Sequence, residues 1–376
     1  MYLVAVEPKS RPGPENGRWK TDASLEELGL LAKTAGAEVV GSTKQRLDYV
    51  QPATYIGKGK ISEIVADQPE LGYTTVIFDD ELRPSQQRNL ETDLKAKVVD
   101  RTALILDIFA QHAHTREGRL QVELAQHEYI LPRLRGQWSH LERLGGGIGT
   151  RGPGETQLES DRRIIQRRVM KIRRDLEGVQ VHRRLQRQGR RRNGVPVVAL
   201  VGYTNAGKTT LMNRLTGASL HAADQLFVTL DPAARRVSEH VRTPFILTDT
   251  VGFIRKLPHE LVAAFRATLE ELTEADLLLH VVDASQSAID DQLAAVESLL
   301  EELGVAERPT ILVLNKIDRV ASDRSLDTLI TSRPRVVAMS AATGRGLEGL
   351  LAAVESALAP ASPAVVGRHA AEIAVD

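Results

Sequence analysis

The stretch Val197-Val198-Ala199-Leu200-Val201-Gly202-Tyr203-Thr204-Asn205-Ala206-Gly207-Lys208-Thr209-Thr210-Leu211-Met212 passes from an apolar run through a glycine-bracketed loop into a helix-like segment. Strand, glycine loop, Lys-Thr and helix is the arrangement that wraps backbone N–H groups around phosphates. The glycines let the main chain approach closely, Lys208 reaches the terminal phosphates, and the Thr209 hydroxyl is placed to ligate Mg²⁺. The expected ligand is a nucleoside triphosphate held by Gly202, Tyr203, Thr204, Asn205, Ala206, Gly207, Lys208, Thr209 and Thr210.

Working downstream, three signals follow in order. Phe245-Ile246-Leu247 leads into Asp249-Thr250-Val251-Gly252, a strand ending in a carboxylate and then a glycine. Asp249 can hold a Mg²⁺-bound water, and the Gly252 N–H can bond the γ-phosphate. Thr310–Leu314 leads into Asn315-Lys316-Ile317-Asp318. The Asp318 carboxylate can accept two N–H bonds from a guanine edge; adenine has no matching donor pair, so this motif selects GTP over ATP. Val336–Met339 leads into Ser340-Ala341-Ala342, whose backbone can meet the guanine carbonyl oxygen. Each motif ends a strand, where ligands bind in parallel sheets.

Between the phosphate loop and Asp249, the segment Phe227-Val228-Thr229-Leu230-Asp231 is the candidate first switch. Thr229 is expected to complete the Mg²⁺ shell with Thr209 and Asp249, and its backbone to sense the γ-phosphate. Lys208, Thr229 and Gly252 form the expected catalytic set. In GTPases that orient the attacking water with a glutamine, that residue follows the aspartate-glycine motif. Here the position is Phe253, so intrinsic hydrolysis is expected to be slow until another group orients the water. A K⁺ ion beside Asn205 is one candidate for supplementary charge.

Upstream, residues 1–118 alternate strand-like segments (Leu3–Val6, Glu38–Gly41, Thr74–Phe78, Lys97–Val99) with helix-like ones (Ser24–Ala35, Ile61–Asp67, Ser85–Leu94, Thr102–Gln111). That order predicts a parallel α/β unit. From Leu120 the spacing changes: Leu120, Leu124, His127, Leu131, Leu134, Trp138 and Leu141 form a heptad seam. The seam resumes at Leu158, Ile165, Val169, Ile172, Leu176 and Val179. Residues 119–193 are thus expected to form a long antiparallel helical hairpin, kinked at Pro132, with a glycine-rich tip loop at 145–157. His127 reads as a packed or partner-facing residue. Residues 194–359 are expected to form the nucleotide domain and 360–376 a loosely attached tail, so that the whole chain is α/β.

The chain has 376 residues, with 49 basic and 49 acidic side chains. Yet residues 151–192 carry 14 Lys/Arg against 5 Asp/Glu, an excess of nine positive charges balanced elsewhere. Clustered positive charge binds phosphate backbones, so an anionic partner is expected for the hairpin; a solvated helical face is the plainer alternative. With no cysteine, a disulfide framework and a thiolate metal site are excluded. No apolar run approaches the ~20 residues that span a bilayer, and the N-terminus lacks a basic leader, so a cytoplasmic enzyme is expected.

Beyond the nucleotide motifs, the chain carries Thr54–Lys60, Phe78-Asp79-Asp80-Glu81-Leu82, Ser85–Leu90, Asp100-Arg101-Thr102, Gln121–Gln126 and the stretch Gly145–Glu159. Together with Gly202–Thr209 and Asp249–Phe253, these make the chain resemble the HflX family of translational GTPases over nearly its full length. That resemblance implies binding to the large (50S) ribosomal subunit and its rRNA, ribosome-stimulated GTP hydrolysis to GDP, and splitting, rescue or recycling of ribosomes or a part in ribosome biogenesis. It also implies that the hairpin tip probes near the peptidyl-transferase centre. Neither DNA nor a membrane is an expected partner, and the free chain is expected to be a monomer. Two other readings stay open from sequence: an NTP-dependent RNA-remodelling factor that clamps RNA with the basic hairpin, and a regulatory switch whose hairpin recruits a protein.

Overall fold

The structure is a computed structural model. It describes residues 1–9, 21–134, 153–192, 194–219, 226–227, 230, 233–256, 272–286, 288–320, 330–331 and 333–359; within 153–192 the described side chains are those of 159–179 and 181.

Two parallel-rich sheets organise the chain. The first is built from β1 (Tyr2–Pro8), α1 (Thr21–Thr34), β2 (Gly41–Leu47), α2 (Lys58–Leu71), β3 (Thr75–Phe78), α3 (Pro84–Leu94), β4 (Lys97–Asp100) and α4 (Arg101–His112). Its strands lie in the order β2-β1-β3-β4, all parallel. Alternation along β1 sends Leu3 to one face, with Leu28 and Leu31 of α1 and Ile105 and Phe109 of α4. Tyr2 and Val4 go to the other face, with Ile61 and Ile64 of α2 and Leu90 and Leu94 of α3. Burial on both faces is what parallel sheets require.

The second strand departs from the apolar run Glu38–Gly41. It begins at Gly41 and continues through polar residues to Leu47, half-buried and exposed in alternation. As an edge strand it is held by pairing with β1, and its charges find partners: Lys44 with Asp22 at 2.7 Å and Arg46 with Glu7 at 2.9 Å. A side chain at Gly41 would stand 2.8 Å from the Tyr2 ring, so this close approach requires glycine.

Helix α5 (Arg116–Ile130) and helix α6 (Pro153–Arg192) follow. Leu120 and Leu124 pack against Ile165, Val169, Ile172 and Leu176, which realises part of the heptad seam. Two ion pairs flank that seam, Arg168–Glu123 at 2.5 Å and Arg173–Glu128 at 2.7 Å. At Pro132 the helix is interrupted: its ring and missing N–H leave residues 131–133 as a turn, and Leu134 is helical again. One expectation is corrected here. The expected loop 145–157 is already helical from Pro153, a residue suited to a first helical turn. Leu134 lies at the edge of the described residues, Trp138, Leu141 and 145–152 lie outside them, and so does the Leu158 side chain.

The second sheet has the order β10-β9-β8-β5-β7-β6. It comprises β5 (Val197–Val201), α7 (Lys208–Thr216), β6 (Ala233–Val237), β7 (Phe245–Asp249), β8 (Leu277–Asp283), α8 (Ile289–Glu302), β9 (Thr310–Asn315), β10 (Val336–Ala338) and α9 (Leu347–Leu358). Among the described strands only β6 runs antiparallel to its neighbour. Central β5 pairs with β7 on one side and β8 on the other, so the strand order reverses around it and opens a crevice at its C-terminal end.

Candidate nucleotide site

The loop after β5 has the backbone its residue types predict. Gly202, Asn205 and Gly207 all have positive φ (146°, 59° and 92°), and Gly207 is the left-handed cap of α7. A Cβ on Gly202 would overlap the Val281 carbonyl oxygen of β8, and one on Gly207 would overlap the Asn315 amide. No larger residue fits this cradle.

Lys208 is buried and donates to the carbonyl oxygens of Gly202 (3.0 Å) and Tyr203 (2.8 Å). Burial lowers its pKa to about 8, opposed by the Asp249 carboxylate. The Thr209 hydroxyl donates to Asp249 Oδ2 at 2.9 Å, so the two expected metal ligands of the described site already meet. Thr210 is half-buried on the first turn of α7. Thr250 is turned inward, its hydroxyl bonded to Leu200 O at 2.7 Å, and Val251 is buried in the core.

Gly252 runs directly against the phosphate loop. A Cβ there would sit 2.9 Å from Thr204 Cα and Cγ2 and 3.1 Å from Lys208 Nζ. The next residue is bridged to the loop: Thr204 N donates to Phe253 O at 2.7 Å and Phe253 N to Gly202 O at 3.1 Å. The Phe253 ring, where a water-orienting glutamine would stand in other GTPases, is 3% exposed and packed in the core.

The base-reading motifs converge on the same loop. Asn315 donates to Ala206 O (2.8 Å) and accepts from Ala341 N (2.9 Å), tying the two expected guanine-contact segments to the phosphate loop. Lys316, with φ 63°, donates to Asn205 O at 2.8 Å and pairs with Asp283 Oδ2 at 2.8 Å. Burial opposes ionisation of Asp283, but the Lys316 ammonium and the Ser285 hydroxyl overcome it and hold its pKa below the usual carboxylate value. Ile317 packs beside Val282 and Leu314, leaving Asp318 exposed with no partner among the described residues. Ser340 is buried and caps Thr343 N at 3.1 Å; Arg214 Nε donates to Ala341 O at 3.1 Å and its Nη2 to Ala342 O.

Not every expected residue joins this group. Val228, Thr229 and Asp231 lie outside the described residues. Phe227 and Leu230, expected to line the nucleotide, are 2% exposed in a core shared with the first sheet's helices. Phe227 meets Phe109 of α4 edge-on, ring centroids 4.6 Å apart. Large apolar side chains gain more from that burial than from a polar phosphate pocket.

Sequence reasoning missed a polar joint beside the loop. Arg101, 2% exposed, pairs with Asp79 (2.8 Å) and Glu27 of the first α/β unit. Glu27 accepts from the Tyr203 hydroxyl, which itself accepts from Arg255 N at 2.9 Å. Lys256 bridges Asp79 (2.5 Å) and Asp80, and Ser24 donates to Asp79 at 2.7 Å. Burial raises the Asp79 pKa against the pull of Lys256 and Ser24, and lowers that of Arg101 to about 10. Only the residue types at Asp79, Asp80 and Arg101, charged groups at the ends of apolar strands, hinted at this cluster.

The residues brought together are those expected around a guanine nucleotide, and the comparisons with known proteins point to GTP-binding proteins. Models described as "GTP-binding GTPase N-terminal", "GTP-binding GTPase Middle Region" and "50S ribosome-binding GTPase" match residues 22–110, 112–190 and 197–316. A GTPase HflX of Caldanaerobacter subterraneus subsp. tengcongensis is 52% identical over 337 residues, 90% of this chain and 77% of that protein. The chain belongs to the HflX family. It is therefore a GTPase. GTPase HflX of Escherichia coli is 48% identical over 335 residues, 89% of this chain and 79% of that one. Among solved structures, the complex of SsGBP with GDP aligns with a TM-score of 0.51 and 28% identity, covering 95% of this chain and 98% of that one. Among the described residues no helix is long and apolar enough to cross a membrane.

Proposed function

We propose that this HflX-family GTPase is a GTP-controlled factor of the 50S ribosomal subunit, with residues 1–118, 119–193 and 194–359 as its three working parts. The phosphate loop, with Lys208 at its centre, takes the β- and γ-phosphates, and Gly252 N–H bonds the γ-phosphate. Asp318 reads the guanine edge, with Asn315 and Ala341 fixing the floor beneath it. The residues present fit Mg²⁺: the Thr209 hydroxyl and Asp249 carboxylate sit 2.9 Å apart at the helix mouth, and Thr229 is the proposed third contributor. Bound there, Mg²⁺ would supply charge to neutralise the phosphates. The Thr204 hydroxyl, buried without a partner among the described residues, faces no competing protein bond in that loop.

The chain's own contribution to hydrolysis is positioning. Phe253 cannot hold the attacking water, and its backbone is committed to the phosphate loop. Turnover therefore waits for an outside group, which we take to be the ribosome, or for a K⁺ ion beside Asn205. The observation that carries the ribosomal assignment is the match of the nucleotide domain to a 50S ribosome-binding GTPase model. The hairpin, with its excess of nine positive charges over 151–192, supports it as an rRNA-binding element. Splitting, rescue and recycling of ribosomes are the roles that such binding would serve.

The deciding experiment is co-sedimentation with purified 50S subunits in a non-hydrolysable GTP analogue and in GDP. Retention with the analogue and release with GDP is expected; equal or absent retention refutes the proposal. Turnover measured with and without subunits, in K⁺ and in Na⁺ buffer, separates the two sources of activation.

A further inference from the structure

Away from the phosphate crevice, β8 carries a polar group that the nucleotide chemistry leaves unused. His280 stands between Leu278 and Val282 on one face of the strand, is 3% exposed, and has an Nε2 with no hydrogen-bond partner among the described residues. An orphaned buried polar nitrogen costs on the order of 1–3 kcal/mol unless something outside the protein bonds to it. His280 is also a wall of a cavity of about 360 Å³ between β8, β9 and the C-terminal half of α8. The cavity opens past the exposed residues Ala306 and Pro334.

We propose that this cavity is a binding site for a small organic monocation, an alkylguanidinium or alkylammonium, whose N–H groups bond His280 and Glu301.

Three observations choose that chemistry. The first is charge: the ionisable wall residues are Glu297, Glu301 and Arg333, and Arg333 is already paired with Glu297 at 2.5 Å. The lining therefore carries one net negative charge, and Glu301 is the carboxylate with no ion-pair partner among the described residues. The second is the imidazole itself. Burial, then Arg333 and Lys208, depress its pKa to about 3, so it is neutral at physiological pH and offers a bare nitrogen to a donor. An anion would meet two carboxylates and a guanidinium already engaged. The third is shape: Leu300 of α8 and Leu312 of β9 line the cavity, an apolar surface for an alkyl stem. Thr310 does not compete, since its hydroxyl is committed to Arg308 O at 3.0 Å. Such a cation arrives either as a free small molecule or as the side chain of a basic residue; the recognition chemistry is shared.

The test is calorimetric titration of the full chain, loaded with GDP, with n-butylguanidinium, n-butylammonium, n-butanol and butyrate. Saturable one-to-one binding of the two cations is expected, with at least tenfold weaker binding of the alcohol and the carboxylate. Glu301→Gln, an exposed position, should weaken the cations about tenfold. Arg333→Gln, which releases Glu297, should tighten them several-fold. His280→Leu should abolish binding while leaving affinity for fluorescent GDP unchanged. Should that variant not fold, the opposed shifts at Glu301 and Arg333 still decide. No cation binding, equal binding of butanol or butyrate, or insensitivity to both rim variants overturns the proposal. A capped arginine that binds more tightly than n-butylguanidinium marks a protein side chain as the source; the reverse order marks a free small molecule.

Discussion

The two sheets of this protein end their strands in the same kinds of residue and use them in opposite ways. In the first sheet, Asp79 after β3 and Asp100 at the end of β4 are consumed internally. Asp79 takes Arg101, Lys256 and Ser24; Asp100 takes Arg133 at 3.2 Å, Tyr129 at 2.9 Å and the backbone of Leu82 and Ala103. In the second sheet, Asp249 at the end of β7 and Asp318 after β9 stand beside a glycine-walled crevice, and Asp318 has no partner among the described residues. One C-terminal edge is a finished joint and the other is a receptor. A carboxylate at a strand end does not announce a ligand site until the groups around it are known.

That contrast breaks most readily at Arg101. Arg101→Met strands Glu27 and Asp79 in the interior, and denaturant unfolding should show a loss of about 3–5 kcal/mol, the cost of removing one partner from a buried ion cluster. At the receptor edge the reverse pattern is expected. Lys208→Ala should lower kcat/KM for GTP by about 10²–10³-fold, the usual loss of one charge-stabilising donor, while the melting temperature without nucleotide stays level or rises, because a buried cation has been removed. A large drop in nucleotide-free stability would show that Lys208 belongs to a structural joint after all.

Phe253 tests whether the joint restrains the receptor. Phe253→Gln should cost about 3 kcal/mol of stability through lost core packing and a buried amide. It should not raise unstimulated GTP turnover to the stimulated rate; a large gain without any partner would contradict the proposed dependence on outside activation. A subtler probe is Asp283, a receptor-edge carboxylate that is paired. Its folded pKa lies below the unfolded value near 4. Its stabilisation is therefore present above that pH and lost as pH falls through the folded value; the acid limb of a stability–pH profile should be shallower in Asp283→Asn. The smallest effect is on the hairpin, where Arg168→Ala breaks a half-exposed pair with Glu123 and should cost about 0.2–1 kcal/mol by thermal unfolding.

The receptor edge was legible in the sequence because its chemistry is local. Gly202, Gly207 and Lys208 lie within seven consecutive residues, and short-range backbone constraints fix their geometry. Asn315–Asp318 reads the same way. The joint was not legible, since Tyr203 and Glu27 are 176 positions apart and nothing in either segment encodes the other. The same non-locality hid the fate of Phe227 and Leu230: their neighbourhood suggested a switch, and their size sent them into a core shared with α4. β2 was misplaced because its pattern is polar and only pairing with β1 makes it a strand. The helical start at Pro153 was obscured by the glycines before it.

Helix α6 is one uninterrupted element of 40 residues, and only four residues separate its end from β5, the middle strand of the nucleotide-binding sheet. At 1.5 Å per residue it is about 60 Å long. A tilt of one degree at its root sweeps its far end through about 1 Å, so displacements at the phosphate crevice too slight to notice locally are magnified into motions on the scale of a chemical bond at the opposite extreme of the molecule.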